Sequence, residues 1–159
     1  MNYEFLNPDK IMVGARGIPG QRLFLLQVRQ GPRLVVIKME KQQLGAISEW
    51  VTAAMETWGR PGHLPDELAL EPEYEPDFAC GDITLALDDE AGRLLIELES
   101  MDEEHQATIS ISREWACALA IEVARLIAAG RPDCPLCGHP LEPGEHACPR
   151  TNGNRPPAR

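Results

Sequence analysis

Four side chains near the end of the sequence are of the types that bind zinc. Cys134 and Cys137 form a Cys-x2-Cys pair, and His146 and Cys148 follow as a His-x-Cys pair. Three thiolates and one imidazole make up a complete tetrahedral ligand set for zinc. Because four protein ligands leave no position open for water, the pattern predicts a structural Zn²⁺ ion rather than a catalytic one.

Two alternative interpretations of this motif are weaker. His139 could bind in place of His146, but it lies only two positions after Cys137, which gives a shared site a cramped geometry. A redox Cys-x-x-Cys pair is typical of a strand-to-helix junction near a βαβ unit, whereas this pair follows a predicted helix and lies among prolines. Zinc, with His146 as the fourth ligand, is the favoured prediction.

The rest of the sequence offers no recognisable catalytic set. The glycines of residues 14–20 precede a predicted strand, so they provide no helix N-terminus for a phosphate. The carboxylates between residues 66 and 104 lie in predicted turns and linkers, without an apolar pocket that would make one of them an acid and another a base. We therefore expect a protein that is not an enzyme. The alternative is a site between the two halves of the chain, where Arg22, Glu40 and Lys41 would converge.

Acidic side chains are concentrated in the middle of the chain. The formal net charge is −10, and residues 61–112 contain fifteen acidic side chains against one basic side chain, Arg93. Binding of nucleic acid by such a stretch would gain no counterion release, so nucleic acid is disfavoured as a partner there. The stretch is typical either of solvated loops and a polar sheet face or of a docking surface for a basic partner.

The composition predicts a single cytoplasmic domain. A chain of 159 residues is long enough for one domain with its own core. No apolar run approaches the ~20 residues of a membrane-spanning helix, and the first residues lack the features of a signal peptide. Five cysteines, an odd number, make a poor disulfide framework in the absence of a secretion signal. We therefore expect a cytoplasmic protein with no membrane contact.

Two stretches of the sequence predict the same order of elements. Residues 1–59 and residues 78–130 each have the pattern of three strands followed by an amphipathic helix. Similar residues in the two stretches are 71 or 72 positions apart, as Val51 and Val123 are. We predict an α+β fold in which two β-β-β-α pseudo-repeats form an antiparallel sheet packed on two helices. The alternative is a pair of small sheets with the helices between them.

Three further segments complete the predicted organisation. Residues 60–77 contain four prolines and six carboxylates and are predicted to be an acidic, proline-rich linker. Residues 131–150 are predicted to form the zinc knuckle, and residues 151–159 a flexible C-terminus. Ser112 is predicted to be the N-cap of the second helix, because its hydroxyl precedes the helical pattern directly.

Several motifs of the chain resemble a bacterial repeat family, the ParJ-like, ParA-interacting proteins, whose C-terminal motif is CPLCG…HxCPRxNG. The residues that carry the resemblance are 17–22 (GIPGQR), 40–43 (EKQQ), 134–141 (CPLCGHPL) and 146–153 (HACPRTNG). The resemblance covers nearly the whole chain, and its C-terminal motif is the most specific part. It implies a regulator or adaptor without enzymatic activity, a ParA-type partitioning ATPase as partner, and zinc at the four C-terminal ligands.

The sequence therefore predicts a non-enzymatic protein-interaction module that is stabilised by structural zinc and binds a cytoplasmic protein. A second hypothesis is single-stranded nucleic-acid binding through the zinc knuckle, because Arg150, Arg155 and Arg159 flank the predicted site. The acidic middle of the chain counts against that hypothesis. The third hypothesis is an enzyme with a site between the two repeats.

Overall fold

The chain forms an α+β fold with one seven-stranded sheet and two helices, as the sequence predicts. The computed structural model describes residues 1–17, 22–59, 61–66, 68–72 and 74–129. In chain order the elements are β1 (Asn2–Phe5), β2 (Lys10–Arg16), β3 (Leu23–Gln30), β4 (Arg33–Met39), α1 (Lys41–Trp58), β5 (Phe78–Asp88), β6 (Arg93–Ser100), β7 (Gln106–Ser112) and α2 (Arg113–Ala129).

Local sequence signals account for the hairpins. Gly31 connects β3 to β4 with φ +59°, and Gly92 connects β5 to β6 with φ +66°. Both angles lie in the left-handed region, which glycine adopts without steric cost. In the β5–β6 turn, the side chain of Asp88 also accepts a hydrogen bond from the Ala91 N–H at 3.1 Å. The turn between β5 and β6 is therefore specified by its own residues.

Each helix begins with a side-chain hydrogen bond. At α1, the Gln43 side chain accepts a bond from the Glu40 N–H at 2.8 Å, and its amide donates to the Cys80 and Gly81 carbonyls of β5. At α2, the Ser112 hydroxyl accepts a bond from the Trp115 N–H at 3.3 Å, so the predicted N-cap is confirmed. These bonds satisfy backbone donors that a helix cannot satisfy itself.

The sheet is not purely antiparallel, contrary to the prediction. Its strand order is β1-β7-β6-β5-β4-β3-β2, with parallel pairing of β4 to β5 and of β1 to β7. The first parallel pair arises because α1 connects β4 to β5, and a helical crossover brings the next strand back in the same direction. The second pair involves β1, a strand of four residues that the sequence analysis did not predict.

The sheet bends around the core so that its two edges approach each other. Seven flat strands would place β1 and β2 about 29 Å apart at ~4.8 Å per strand. Only residues 6–9 join them, and that link spans at most about 18 Å even when fully extended. Contacts across the gap agree with this bend: the Asn7 N–H donates to the side chain of Gln30, and the Arg33 guanidinium lies 4.9 Å from the Phe5 ring centroid.

A single hydrophobic core lies on the inner side of this sheet. Both helices contribute to it, and they are linked by a hydrogen bond of 2.9 Å from the Ser48 hydroxyl to the Ala120 carbonyl. The largest fully buried side chains of the core are Phe5, Ile11, Leu26, Ile37, Leu44, Ile47, Leu94, Ile96, Leu98 and Ile109. The helices therefore pack against the inner side of the sheet. The outer side, which faces away from the helices, is left for other contacts.

Candidate interaction surface

The predicted zinc ligands Cys134, Cys137, His146 and Cys148 lie outside the described residues, as does His139. The predicted zinc knuckle over 131–150 and the C-terminus over 151–159 lie outside them too. Within the part of the chain that the structure describes, no three His, Cys, Asp or Glu side chains are grouped as a metal site. The candidate site that the described residues do provide is the outer side of the sheet.

On the outer side of β2, β3 and β4, the side chains at the centre are buried although they point away from the core. Gln27 lies between Met12 on β2 and Val36 on β4. Gln27 is 0% exposed, and its two neighbours are 1% and 2% exposed. Another part of the chain must therefore cover this face.

That cover is the segment before β5. The Val13 N–H donates to the Leu68 carbonyl at 3.0 Å, which extends the sheet beyond its β2 edge. The Gln27 amide both donates to the Glu71 carbonyl at 3.0 Å and accepts from the Glu71 N–H at 2.7 Å. Beside these bonds, a Cβ atom on Gly14 would lie 2.8 Å from a Leu70 side-chain carbon, so glycine is required for this close approach.

Part of the acidic middle is neutralised by this packing. The Arg29 guanidinium donates two hydrogen bonds to the Glu71 carboxylate, at 2.6 and 2.8 Å. The hydrogen bond from Arg29 is the main cause that lowers the pKa of Glu71 below its usual value. The predicted linker over residues 60–77 lacks helices and strands where it is described, but residues 68–72 are a packed cover rather than a solvated connection.

On the outer side of β5, β6 and β7, the corresponding positions are polar and open to solvent. Glu97 occupies the place that Gln27 occupies in the first half, between Thr84 on β5 and Thr108 on β7. Thr84 is exposed, and Glu97 and Thr108 are half-buried. No described residue lies over them as Glu71 lies over Gln27.

Four carboxylates of this outer side form what we call the acidic face: Glu4, Asp82, Glu97 and Glu99. Glu99 is directly opposite Asp82, and Glu4 is opposite Thr108, the neighbour of Glu97. None of the four forms an ion pair with another described residue. The basic side chain on these strands, Arg93, donates instead to Ser110 and to the Leu6 carbonyl.

The sequence analysis located the acidic stretch, as a polar sheet face or a docking surface, but not the four residues that form this face. The alternation of β6 directs Glu97 and Glu99 to one side. The positions of Glu4 and Asp82 beside them depend on strand pairing, and β1 itself was not predicted. The signal in the sequence that could have found this face is the alternation along β6, in which apolar residues alternate with Glu97 and Glu99.

The three residues of the predicted enzyme site are not brought together by hydrogen bonds or ion pairs in the described chain. Arg22 donates to the Leu126 carbonyl at the end of α2, at 3.2 Å. Glu40 and Lys41 lie at the start of α1, where the Glu40 backbone bonds to Gln43. The Arg22 side chain therefore binds a carbonyl near the end of α2. This geometry gives no support to the catalytic hypothesis.

Ser100, Asp102 and His105 lie in one turn but do not form a nucleophilic triad. The Ser100 hydroxyl donates to the Asp102 carboxylate at 2.5 Å and accepts from the backbone N–H of His105 at 3.0 Å. The bond from Ser100 lowers the pKa of Asp102. The His105 ring instead stacks on Phe78 at 5.5 Å between centroids. Since the hydroxyl points to a carboxylate and not to an imidazole, the turn is structural.

The cysteines of the described core are suited to packing and not to reactivity. Cys80 is 5% exposed in β5, and burial raises its pKa to about 11. Burial also raises the pKa of Cys117, on α2. The thiolate is the nucleophilic and metal-binding form. Both thiols are therefore protonated at neutral pH, which suits a role as small apolar side chains.

A family model described as "Protein of unknown function (DUF3090)" matches residues 3–148 of the chain. No curated protein and no solved structure matches it. The match includes every described helix and strand, apart from Asn2 at the start of β1, and also the four predicted zinc ligands. Among the described residues, neither helix is long and apolar enough to cross a membrane.

Proposed function

Since the chain belongs to the DUF3090 family, whose description assigns no activity, we propose that it is a non-enzymatic interaction module that binds a basic protein surface through its acidic face. The observation that supports this proposal is the set of four carboxylates on one side of the sheet that form no ion pair with any other described residue. An acidic strand surface attracts a basic partner and orients it during association.

The arrangement of these carboxylates favours a role in binding over a role in stability. Asp82 and Glu99 are directly opposite each other on neighbouring strands. Like charges in opposite positions destabilise a strand pair by a few tenths of a kcal/mol. On the same side of the first half, by contrast, Arg29 has an ion-pair partner in Glu71. A basic partner would remove the repulsion between Asp82 and Glu99.

The partner that we propose to test first is a ParA-type partitioning ATPase, in the cytoplasm. The support for this choice is the resemblance of the sequence motifs to the ParJ-like proteins. The acidic face adds a chemical requirement, namely that arginines and lysines of the ATPase form the contact. The alternative of single-stranded nucleic acid is less favoured, because the same carboxylates would repel phosphates.

Binding of the full chain to a purified ParA-type ATPase tests this proposal. We expect an affinity that weakens as salt rises, since the contacts are between exposed charges. The double variant Glu97→Gln and Glu99→Gln should weaken binding by about tenfold, which corresponds to ~1.4 kcal/mol. The matched control removes two exposed carboxylates of α1 instead, through Glu49→Gln and Glu56→Gln, and should bind like the natural chain.

Two results would contradict the proposal. Absence of binding at ~100 μM, a free energy of roughly −5.5 kcal/mol, would exclude the ATPase as partner. Equal binding by the double variant on β6 and by the control on α1 would exclude the acidic face as the site. Binding of single-stranded RNA in place of the ATPase would support the nucleic-acid alternative.

We further propose that Cys134, Cys137, His146 and Cys148 hold a structural Zn²⁺ ion. Three thiolates and an imidazole match the donor set of closed zinc sites, and zinc would hold this part of the chain in one conformation. Replacement of Cys148 by Ser should lower the zinc content below one ion per chain and leave the described fold intact, as judged by circular dichroism. Cys117→Ser is the control and should keep the metal; loss of zinc there, or none in the natural chain, would contradict the proposal.

We also infer that residues 10–58 and 78–129 are repeats of one structural unit. Each consists of three antiparallel strands and a helix. The separation of the two helices along the sequence supports this inference. Ser48 and Ala120, which are joined by a hydrogen bond, are 72 residues apart, and 72 is also the spacing of Val51 and Val123. Corresponding positions in the two halves can therefore be compared directly.

A further inference from the structure

We propose that the outer side of β2, β3 and β4 is a binding groove for an extended acidic peptide of another protein, and that residues 68–72 occupy this groove in the free chain. We call residues 68–72 the covering segment. The inference goes beyond the proposed function, because the groove and the acidic face lie on different halves of the sheet. It starts from the contacts that hold the covering segment, which are of the kind that proteins use to bind peptides.

The groove binds the backbone of the covering segment. The Gln27 side chain accepts a hydrogen bond from the Glu71 N–H at 2.7 Å and donates to the Glu71 carbonyl at 3.0 Å. At the edge of β2, the Val13 N–H donates to the Leu68 carbonyl at 3.0 Å, in the manner of an added strand. Because these bonds are to backbone groups, an extended peptide of any sequence can form them.

Two features of the groove select the side chains of its occupant. Leu70 lies over Gly14, where a Cβ atom would be only 2.8 Å from a Leu70 side-chain carbon, so glycine makes room for a large apolar side chain. The Arg29 guanidinium binds the next side chain, the Glu71 carboxylate, through two hydrogen bonds, and Lys10 adds positive charge nearby. A bidentate guanidinium site is specific for carboxylates. The groove therefore selects leucine followed by glutamate.

The covering segment is held by few contacts. It contains no helix or strand, and one backbone–backbone hydrogen bond joins it to the rest of the described chain. Of its side chains only Leu68 is buried, and Ala69 and Pro72 are exposed. The Arg29 and Glu71 side chains are 25% and 30% exposed, so water and salt weaken their ion pair. Release of the segment therefore requires no helix or strand of the fold to open.

An open groove favours a replacement occupant. Without the covering segment, Met12 and Val36 would be exposed to water on either side of Gln27. Exposure of apolar side chains costs free energy, so the groove favours a peptide that supplies the same contacts. Such a peptide competes with the covering segment, and its apparent affinity is reduced by the fraction of chains in which the groove is open.

Hydrogen exchange of the natural chain tests whether the groove opens by itself. The amides of Val13 and Glu71, which donate to the bonds of the covering segment, should exchange about 100-fold faster than the amides of β3, because local opening requires less free energy than global unfolding. Nuclear magnetic resonance measures each amide separately. Equal protection of these two amides and of β3 would overturn the proposal, because the groove would then open only when the whole fold unfolds.

Binding of a synthetic peptide tests the occupant. The probe is a fluorescent peptide with the sequence of residues 66–74 (DELALEPEY), and fluorescence anisotropy measures its affinity for full-length chains. The weakened variant, Leu70→Ala and Glu71→Gln, should bind the peptide about tenfold more tightly than the natural chain, because its own segment competes less. The matched control Glu75→Gln changes an exposed carboxylate just after the covering segment and should bind like the natural chain.

Two further changes identify the groove as the binding site. Addition of Arg29→Gln to the weakened variant should lower its affinity for the peptide about tenfold, and a peptide with the change Glu71→Gln should lose as much. Absence of saturable binding up to ~1 mM, or equal binding with and without Arg29, would overturn the proposal. A dimer of the weakened variant that excludes the peptide would also overturn it, because two copies would then exchange their segments. The exchange experiment requires no variant, so it decides the outcome even where the weakened variant fails to fold.

Discussion

Each half of the sheet has a leucine at the same position on its outer side, but the two leucines differ in burial. Leu25 on β3 lies opposite Gly14 and Lys38, and Leu95 on β6 lies opposite Ala86 and Ser110. Leu25 is fully buried, whereas Leu95 is only half-buried. The difference comes from the cover over the first half. One strand architecture therefore produces a closed face where the chain returns over it and an open face where the described chain does not.

The central residues of the two faces, Gln27 and Glu97, differ in their hydrogen bonds in the same way. Gln27 forms two hydrogen bonds with the Glu71 backbone, while Glu97 lies in a polar row with no ion pair in the described chain. A buried amide can satisfy both a donor and an acceptor of a covering backbone. The half-buried Glu97 carboxylate has no such stabilising partner among the described residues. The closed face therefore contributes stability through its cover, and the open face has no equivalent contribution from the described chain.

The largest expected effect comes from exchanging these two central residues. Gln27→Glu should lower the free energy of unfolding by about 3–5 kcal/mol, because it buries a carboxylate that cannot donate to the Glu71 carbonyl. Glu97→Gln should change the same quantity by less than about 0.5 kcal/mol, since the position is open. Urea denaturation at pH 7 measures both. Equal losses in the two variants would contradict the distinction between a closed and an open face.

A smaller effect is expected from truncating the two leucines. Leu25→Ala should cost about 2–4 kcal/mol of unfolding free energy, because it leaves a cavity beneath the covering segment. Leu95→Ala should cost about 1 kcal/mol or less, because the position is half-buried and solvent can fill the space. The comparison is well controlled, since the two substitutions remove identical atoms. If Leu95→Ala proved as costly as Leu25→Ala, the second face would be covered as tightly as the first.

The fold class was predictable because its signals are local. Strand alternation, helix periodicity and turn residues such as Gly31 and Gly92 each depend on neighbours in sequence. The N-cap at Ser112 was found for the same reason. The parallel pairing of β1 with β7 was not found, because a strand of four residues is stabilised by its partner and not by its own pattern.

The candidate site was harder to predict because it depends on which face of the sheet the segment between α1 and β5 packs against. Residues 60–77 have the composition of a solvated linker, and nothing local distinguishes Glu71 from the other carboxylates. Its ion pair with Arg29 and its bonds to Gln27 are long-range contacts. Once they are known, the acidic middle separates into carboxylates that are used within the fold, such as Glu71, and carboxylates that remain available, such as Glu97.

The smallest expected effects are opposite in sign for the two kinds of carboxylate. Glu71→Gln should lower the unfolding free energy by about 0.5 kcal/mol at pH 7, because it removes the charge that Arg29 holds. Glu99→Gln should instead raise it by a few tenths of a kcal/mol, because it relieves repulsion from Asp82. Urea midpoints of both variants and of the natural chain measure these differences.

The pH dependence makes this last comparison sharper. Arg29 lowers the pKa of Glu71 in the folded chain below its ordinary value of 4.5. A lowered pKa gives stability that is present above pH 4.5 and is lost as pH falls through the folded value. The deficit of Glu71→Gln should therefore be constant between pH 6 and pH 7 and shrink steadily below pH 4.5. A deficit that persists at pH 3 would mean that Glu71 stabilises the cover through its packing and not through its charge.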